Sequence, residues 1–414
     1  MPNRFFYSPA VSPLHDAAAV GRLLAGLAAT LARGGGTPVA AEEAPTDRPL
    51  LQVVLTGGTE RLVLDRLRAR AAGPGGSDRE PVLLAAHPTH NSLPACLEIL
   101  ARVRADGGTG RIVFLSGEAG DPDRLSEVVH LADVAIALRR ARLGAVGPPS
   151  EWLVASSHDA ATVRDSWGPE LVAVPMSELT DRLAATPTDR RLARGLVAGA
   201  RESDVAQGAV LDASALRGAL AALVDAHRLS ALTVRCFDLV TGLGTSGCLA
   251  LSQLADDGIP SGCEGDVPSA VALLWLHLLT GAPAWMANPA RIDAGRGELV
   301  LAHCTVPRRL VRGYDVQTHF ESGLGVALGG DLVPGPVTLV RLGGTRLERL
   351  WLAEGEVVGS PHDPGLCRTQ ATLHTDPAAL DELLRAPLGN HVVLVPGHRA
   401  ALLRASRELI LGAT

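Results

Sequence analysis

Between residues 231 and 303 the chain alternates apolar runs of two lengths, and that alternation leaves few folds open. The short runs, A-L-T-V-R-C-F-D, G-I-P-S-G-C-E-G-D-V-P and A-P-A-W-M-A-N-P, each close on a polar residue, and V-L-A-H-C follows them. Residues 245–257 and 268–280 between them have helix length, with Gly258 and Gly281 just past their ends and Pro268 in a first turn, the usual helix punctuation. A helix over 268–280 rises about 20 Å, and residues 281–287 return about as far if extended. Asp238, Glu264 and Asn288 are therefore expected at the same end of successive parallel strands. Ligands of open parallel sheets bind outside those carboxyl ends, which makes Asp238, Glu264, Asp266 and Asn288 candidates for one site.

Apart from that core, the chain reads as three domains, which its 414 residues can supply with real cores. Residues 1–148 give strand-like runs F-F-Y, L-L-Q-V-V-L-T, P-V-L-L-A-A, R-I-V-F-L-S and A-D-V-A-I-A separated by helical segments, a doubly wound α/β domain. In it Gly57-Gly58-Thr59 has the form of a phosphate-cradling turn, or serves topology alone. His87, His90 and Asn91 follow a strand and suit substrate contact, or Asn91 caps the helix over 93–104. Residues 149–296 form a second α/β domain that opens on E-W-L-V-A-S-S. Residues 297–414 change to short alternating runs divided by G-P, G-G-T and E-G-E, a β-rich sandwich or barrel closed by a terminal helix.

Charge and cysteine usage exclude several functions. A formal net charge of −6 without a Lys/Arg run gives no footprint for nucleic acid. No window is long and apolar enough for a membrane helix, and the first residues lack an apolar signal core, so a cytoplasmic protein without a membrane partner is expected. The six cysteines form no C-x-x-C pair, which argues for reduced, buried thiols and against structural zinc.

At C-E-G-D-V-P-S-A-V-A-L-L-W-L-H-L-L-T-G, A-H-C, R-T-Q at 368–370 and L-G-N-H-V at 388–392, the chain resembles the L-fucose isomerase and L-arabinose isomerase family. The resemblance is best over about residues 232–397, and the N-terminal half is similar to the family's shorter members. It implies aldose–ketose interconversion through an enediol, with a divalent cation, usually Mn2+ and otherwise Mg2+ or Co2+, held by acidic residues and histidine. By motif, Glu264 is a ligand and proton shuttle, His391 and His303 are ligands, and Asn390 is a substrate contact. Asn288 stands where the family carries its second acidic residue, and Val392 where relatives often carry another histidine. Asn can offer a carbonyl oxygen to a hard cation but cannot exchange a proton, so Asp266 or Asp238 is expected to replace the missing acid/base. A lyase, an epimerase, a tailoring enzyme or a non-catalytic sugar-binding protein are the alternatives on this scaffold. The resemblance further implies a homo-trimer or hexamer whose pocket a neighbouring subunit completes through His87, His90 or Asn91.

Overall fold

The computed structural model describes residues 5–412. Two parallel-sheet α/β portions are followed by an antiparallel barrel, the fold class that the sequence implies. The chain divides into two compact units, residues 1–139 with 401–414, and residues 140–400.

The first unit is built on a parallel sheet of five strands in the order Gly36–Pro38, Phe5–Ala10, Leu50–Val54, Val82–Ala86 and Gly110–Phe114. Strands covered on both faces are apolar throughout rather than alternating. Leu51, Val53 and Leu83 accordingly pack into one apolar cluster, and Val54, Leu84 and Ala86 into another. The terminal helix Ala400–Leu411 belongs largely to this unit, where Thr109 Oγ1 donates to the Leu409 carbonyl at 2.7 Å. The run A-D-V-A-I-A, expected as a strand, lies inside the helix Asp121–Arg140. Its β-branched residues continue a buried row that begins at Leu125, Val128 and Val129, and that longer helical register wins over the short strand-like one.

The second unit joins a four-stranded parallel sheet to the barrel. The sheet order is Glu170–Val174, Arg142–Val146, Ala231–Val234, Ser261–Cys263. E-W-L-V-A-S-S, on which the second α/β domain opens, is a pair of turns, with Leu153 N–H donating to the Ser150 carbonyl and Ser156 N–H to the Leu153 carbonyl. The strand Trp285–Asp293 also departs from expectation. It joins not the parallel sheet but the barrel, antiparallel to Glu298–His303 and to Val392–Pro396. From there the strands run through Gly335–Gly343, Arg349–Gly359 and Thr369–Thr375, which pairs back to Glu298–His303 and closes a ring of six. Ala327–Leu332 and Val311–Gln317 extend the sheet beyond that ring.

Inside the barrel every second residue faces the core, as the strand period requires: Leu299 and Leu301, Val337 and Leu339, Ala371 and Leu373, Leu394 and Trp285 form one cluster. His303 and Arg341 continue two of these rows by one step. The apolar filling thus gives way to polar side chains at one mouth of the barrel.

The helix Val267–Thr280 links sheet and barrel. It packs against Ala231–Val234 and Ser261–Cys263 on one side and against Gly335–Gly343 and Val392–Pro396 on the other. A helix covered all round should be apolar all round, and from Val267 to Leu276 every residue is buried. Trp275 within it meets Trp167 at a ring-centroid distance of 4.9 Å. Replacing Trp275 by Ala is expected to cost about 3–5 kcal/mol of stability in urea unfolding followed by far-UV circular dichroism. A loss below about 1 kcal/mol would show that this helix is not the packed link described here.

Candidate active site

Local backbone shape puts Glu264 where it is. The strand Ser261–Cys263 ends, and Glu264 and Gly265 both take left-handed conformations, with φ of 63° and 73°. Such a φ is uncommon for a residue with a Cβ. At Gly265 a Cβ would lie 2.8 Å from Pro149 Cα, so glycine is required there. The turn is tied down by Ser150 N–H, which donates to the Glu264 carbonyl at 2.9 Å. It leads directly into the helix Val267–Thr280, whose N-cap is Asp266.

Glu264 meets two histidines from the barrel. Its Oε1 lies 3.4 Å from His391 Nε2 and 3.8 Å from His303 Nε2, and its Oε2 accepts from Trp152 Nε1 at 2.6 Å. The two imidazole rings stand edge to face at 5.5 Å. Each ring is held from behind at its other nitrogen: His391 Nδ1 is 2.8 Å from Asp266 Oδ2, and His303 Nδ1 is 2.9 Å from Thr305 Oγ1. A bond of this kind at one ring nitrogen orients the other toward a metal. Glu264, His303 and His391 each place one donor atom within 4.8 Å of the other two. His391 Nε2 is buried and has no aligned hydrogen-bond partner. A carboxylate with two imidazoles suits a first-row divalent cation, and the orphaned nitrogen is what such an ion would satisfy.

Behind the histidines lies a buried ionic chain. Asp266 and Arg341 are fully covered, and Arg341 Nη1 donates to Asp266 Oδ2 at 3.0 Å and to Ser269 Oγ at 2.8 Å. Arg341 Nη2 donates to Ser156 Oγ at 2.5 Å. Asp266 Oδ1 accepts from the Ser269 N–H at 2.8 Å, completing the helix cap. The guanidinium fills the space over Gly389, where a Cβ would come within 2.1 Å of Nη2 and φ is +146°. Burial penalises the charge on Asp266, but Arg341 and His391 outweigh it and keep this carboxyl well below the usual carboxylate range. Glu264 is likewise penalised by burial and held low by His303 and His391. Burial pulls His391 down, yet Asp266 and Glu264 win and push it up to about 9.

A cavity of about 320 Å³ opens beside Glu264, lined by Trp152, Phe237, Glu264, Asn288, Glu321 and Asn390. Phe237 supports the Trp152 ring edge to face at 4.8 Å. Asn288 is brought there by pairing opposite Ala302 in the barrel, not by a parallel strand. Of the sequence candidates, Glu264, Asn288, His303, His391 and Asn390 thus come together. Asp266 is not among the lining residues and stands behind His391. Asp238 is not among them either: it lies in the first turn of the helix Phe237–Leu243, paired with Arg235 at 2.8 Å. His87, His90 and Asn91 lie in the first unit. There His87 is buried with Nε2 2.9 Å from the Leu55 carbonyl, while His90 and Asn91 are both left-handed. Asn91 stands at the N-cap of Ser92–Ala105 without a side-chain bond. The turn at Gly57 spends its amides internally, on the His90 carbonyl and on Glu60.

Sequence reasoning did not single out Arg341, and it named Trp152 only within E-W-L-V-A-S-S. A charged residue in an inward-facing position of V-T-L-V-R-L was the available signal for Arg341. Glu321, in T-H-F-E-S-G, belongs to no motif that would mark it.

An open cavity with a buried metal-type donor set beside the end of a parallel sheet has the make-up of an enzyme site, and the chain is similar to sugar isomerases. Over 268 residues it is 26% identical to the sulfoquinovose isomerase of Alkalicoccus urumqiensis, covering 60% of this chain and 59% of that protein. Over 182 residues it is 27% identical to the sulfoquinovose isomerase of Priestia aryabhattai, 42% of this chain and 41% of that protein. A stretch of 82 residues is 35% identical to the sulfoquinovose isomerase of Clostridium sp. (strain MSTE9), 20% of this chain and 18% of that protein. The sequence matches no protein-family model. Among the described residues no helix is long and apolar enough to cross a membrane.

Two outcomes test this geometry. Arg341→Met leaves Asp266 buried without its cation, and urea unfolding is expected to show a loss of about 3–5 kcal/mol, part of which returns in the double variant with Asp266→Asn. A single-variant loss as small as that of a surface pair, below about 1 kcal/mol, would contradict the ionic chain. His391 has a folded value near 9 against an ordinary 6.5, so its stabilising contribution is full below about pH 6.5 and is lost as pH rises through about 9. In metal-free protein the melting temperature is expected to fall across that window, and His391→Gln is expected to flatten the fall. A profile that is level from pH 6.5 to 9 in the parent protein would refute it.

Proposed function

We propose that the protein is a metal-dependent sugar isomerase of the L-fucose and L-arabinose isomerase type, interconverting an aldose and its ketose through an enediol. The observation that carries this reading is the Glu264, His303 and His391 donor set at a cavity that also holds Glu321 and Asn288, in a chain similar to sulfoquinovose isomerases. Glu264 Oε1, His303 Nε2 and His391 Nε2 would hold the divalent cation, manganese or a close substitute such as magnesium or cobalt. When bound, it would polarise the sugar carbonyl and lower the cost of the enediolate.

The chain's own groups do the rest. Trp152 fixes the Glu264 carboxylate from one side, and Asp266 with Thr305 fix the two imidazoles from the other. Asn288 and Asn390 meet sugar hydroxyls at the cavity wall. Isomerisation needs a group that takes the proton from C2 and returns one to C1. Asn288 cannot do this, and Asp266 is committed to Arg341, His391 and the helix cap. Glu321 is the second carboxylate among the lining residues, and in this proposal it carries that proton. Asp266 is then a positioning residue, and Asp238 orders Arg235. The protein is proposed to act in the cytoplasm as a homo-oligomer, trimer or hexamer, with His87, His90 or Asn91 of a neighbouring subunit completing the substrate pocket.

Incubating the manganese-loaded protein in deuterated water with a panel of aldoses, sulfoquinovose included, is expected to give ketose and deuterium at C2 of recovered aldose. Absence of both with every sugar would sink the proposal. Glu321→Gln is expected to lower kcat by about 10²–10⁴-fold while calorimetric manganese stoichiometry stays unchanged. Glu264→Gln is expected to lose both. A Glu321→Gln enzyme with undiminished kcat would remove that residue from the proton path.

A further inference from the structure

A second cluster of donors lies in the same unit, drawn from four places far apart in sequence. Cys248 begins the helix Cys248–Asp256, Cys304 follows the strand Glu298–His303, His319 lies just past the strand Val311–Gln317, and Cys367 precedes the strand Thr369–Thr375. Cys248, Cys304 and His319 are buried, and each places one donor atom within 4.8 Å of the other two. Cys367 packs against Cys248 and Cys304, which sets a further thiol beside the three. The His319 ring is held at Nδ1 by Ser322 Oγ at 3.0 Å, leaving its other nitrogen available. Phe237 packs against it edge to face at 5.6 Å.

We infer that Cys248, Cys304 and His319, with Cys367 as the adjoining fourth donor, form a binding site for a thiophilic divalent cation of the zinc class. The ion is structural and separate from the one proposed at Glu264. Two thiolates bound to a tetrahedral zinc at about 2.3 Å stand roughly 3.8 Å apart, so the observed cluster needs only a small contraction to close on an ion. Sulfur donors distinguish this site, since two thiols with an imidazole favour zinc over the harder cations, whereas a carboxylate with two imidazoles accepts both. Binding replaces the Cys248 and Cys304 thiol protons, and the Cys367 proton where that residue joins, and releases them to solvent.

The consequence reaches the cavity. His319 and Glu321 share one short loop, and Glu321 lines the cavity wall. An ion on His319 anchors that loop to the helix at Cys248 and to the barrel at Cys304. The spacing C-x-x-C, absent from this sequence, is one way to bring thiols together; here the barrel strands do it.

The test uses the full-length protein, reduced, stripped with chelator and reloaded with one equivalent of zinc or cobalt. Zinc-edge X-ray absorption of the parent protein is expected to show two or three sulfur neighbours at about 2.3 Å. The cobalt form is expected to show thiolate-to-metal charge-transfer absorption that disappears in Cys304→Ala and falls in His319→Gln but persists in Glu264→Gln. That persistence separates this site from the proposed isomerase centre. Zinc is also expected to raise the melting temperature of the stripped parent by a few degrees and that of Cys304→Ala not at all. A shell of nitrogen and oxygen alone, a charge-transfer band retained in Cys304→Ala, or absence of metal uptake by fully reduced protein would each overturn the inference. Should both variants fail to fold, the sulfur count of the parent protein decides.

Discussion

The ion pair between Arg341 and Asp266 is the interaction on which the rest of the site depends. It joins the barrel to the first turn of the helix that links barrel and sheet, and it does so where neither side chain reaches water. A buried pair is costly to desolvate and is retained only when every remaining donor and acceptor finds a partner. Here Ser156, Ser269, the Leu388 carbonyl and His391 supply those partners. The pair turns His391 so that Nδ1 is used and Nε2 faces Glu264. Its orientation is thus fixed by groups that themselves stay out of the cavity.

The barrel and the parallel sheet contribute unlike things to one place. The sheet delivers Glu264 through a left-handed turn at a strand end, a conformation that the flanking prolines, glycine and Ser150 hold in place. The barrel delivers His303 by continuing an inward-facing row beyond its apolar filling, and His391 from the residue ahead of a strand. Strain and burial are thereby concentrated on the residues that carry the chemistry. Their rigid surroundings keep donor atoms from three separated segments within a few ångströms of one another.

Much of this was legible in the residues. The helix over 267–280, the strand before Glu264 and the runs of the barrel follow from length, period and punctuation, and the structure differs from them by a residue or a few at their ends. Motif resemblance pointed to Glu264, His303 and His391. What the sequence concealed was long-range pairing. Trp285–Asp293 reads as one more strand of a parallel sheet because its local pattern is the same in either partner sheet. A-D-V-A-I-A reads as a strand because β-branched residues dominate a short window, whereas the buried face of the whole helix decides the outcome. Arg341 and the cysteine cluster escaped for a related reason. Their meaning arises only when segments tens of residues apart are folded together, and spacing rules cover local motifs alone.

The central claim, that Glu264, His303 and His391 hold one cation, is tested most directly by anomalous diffraction from crystals of the manganese-loaded protein. The account predicts a manganese peak at bonding distance, about 2.0–2.3 Å, from Glu264 Oε1 and both Nε2 atoms, with Asp266 still bonded to His391. A manganese peak elsewhere, or no peak beside an unchanged Glu264 and His391 contact, would contradict it.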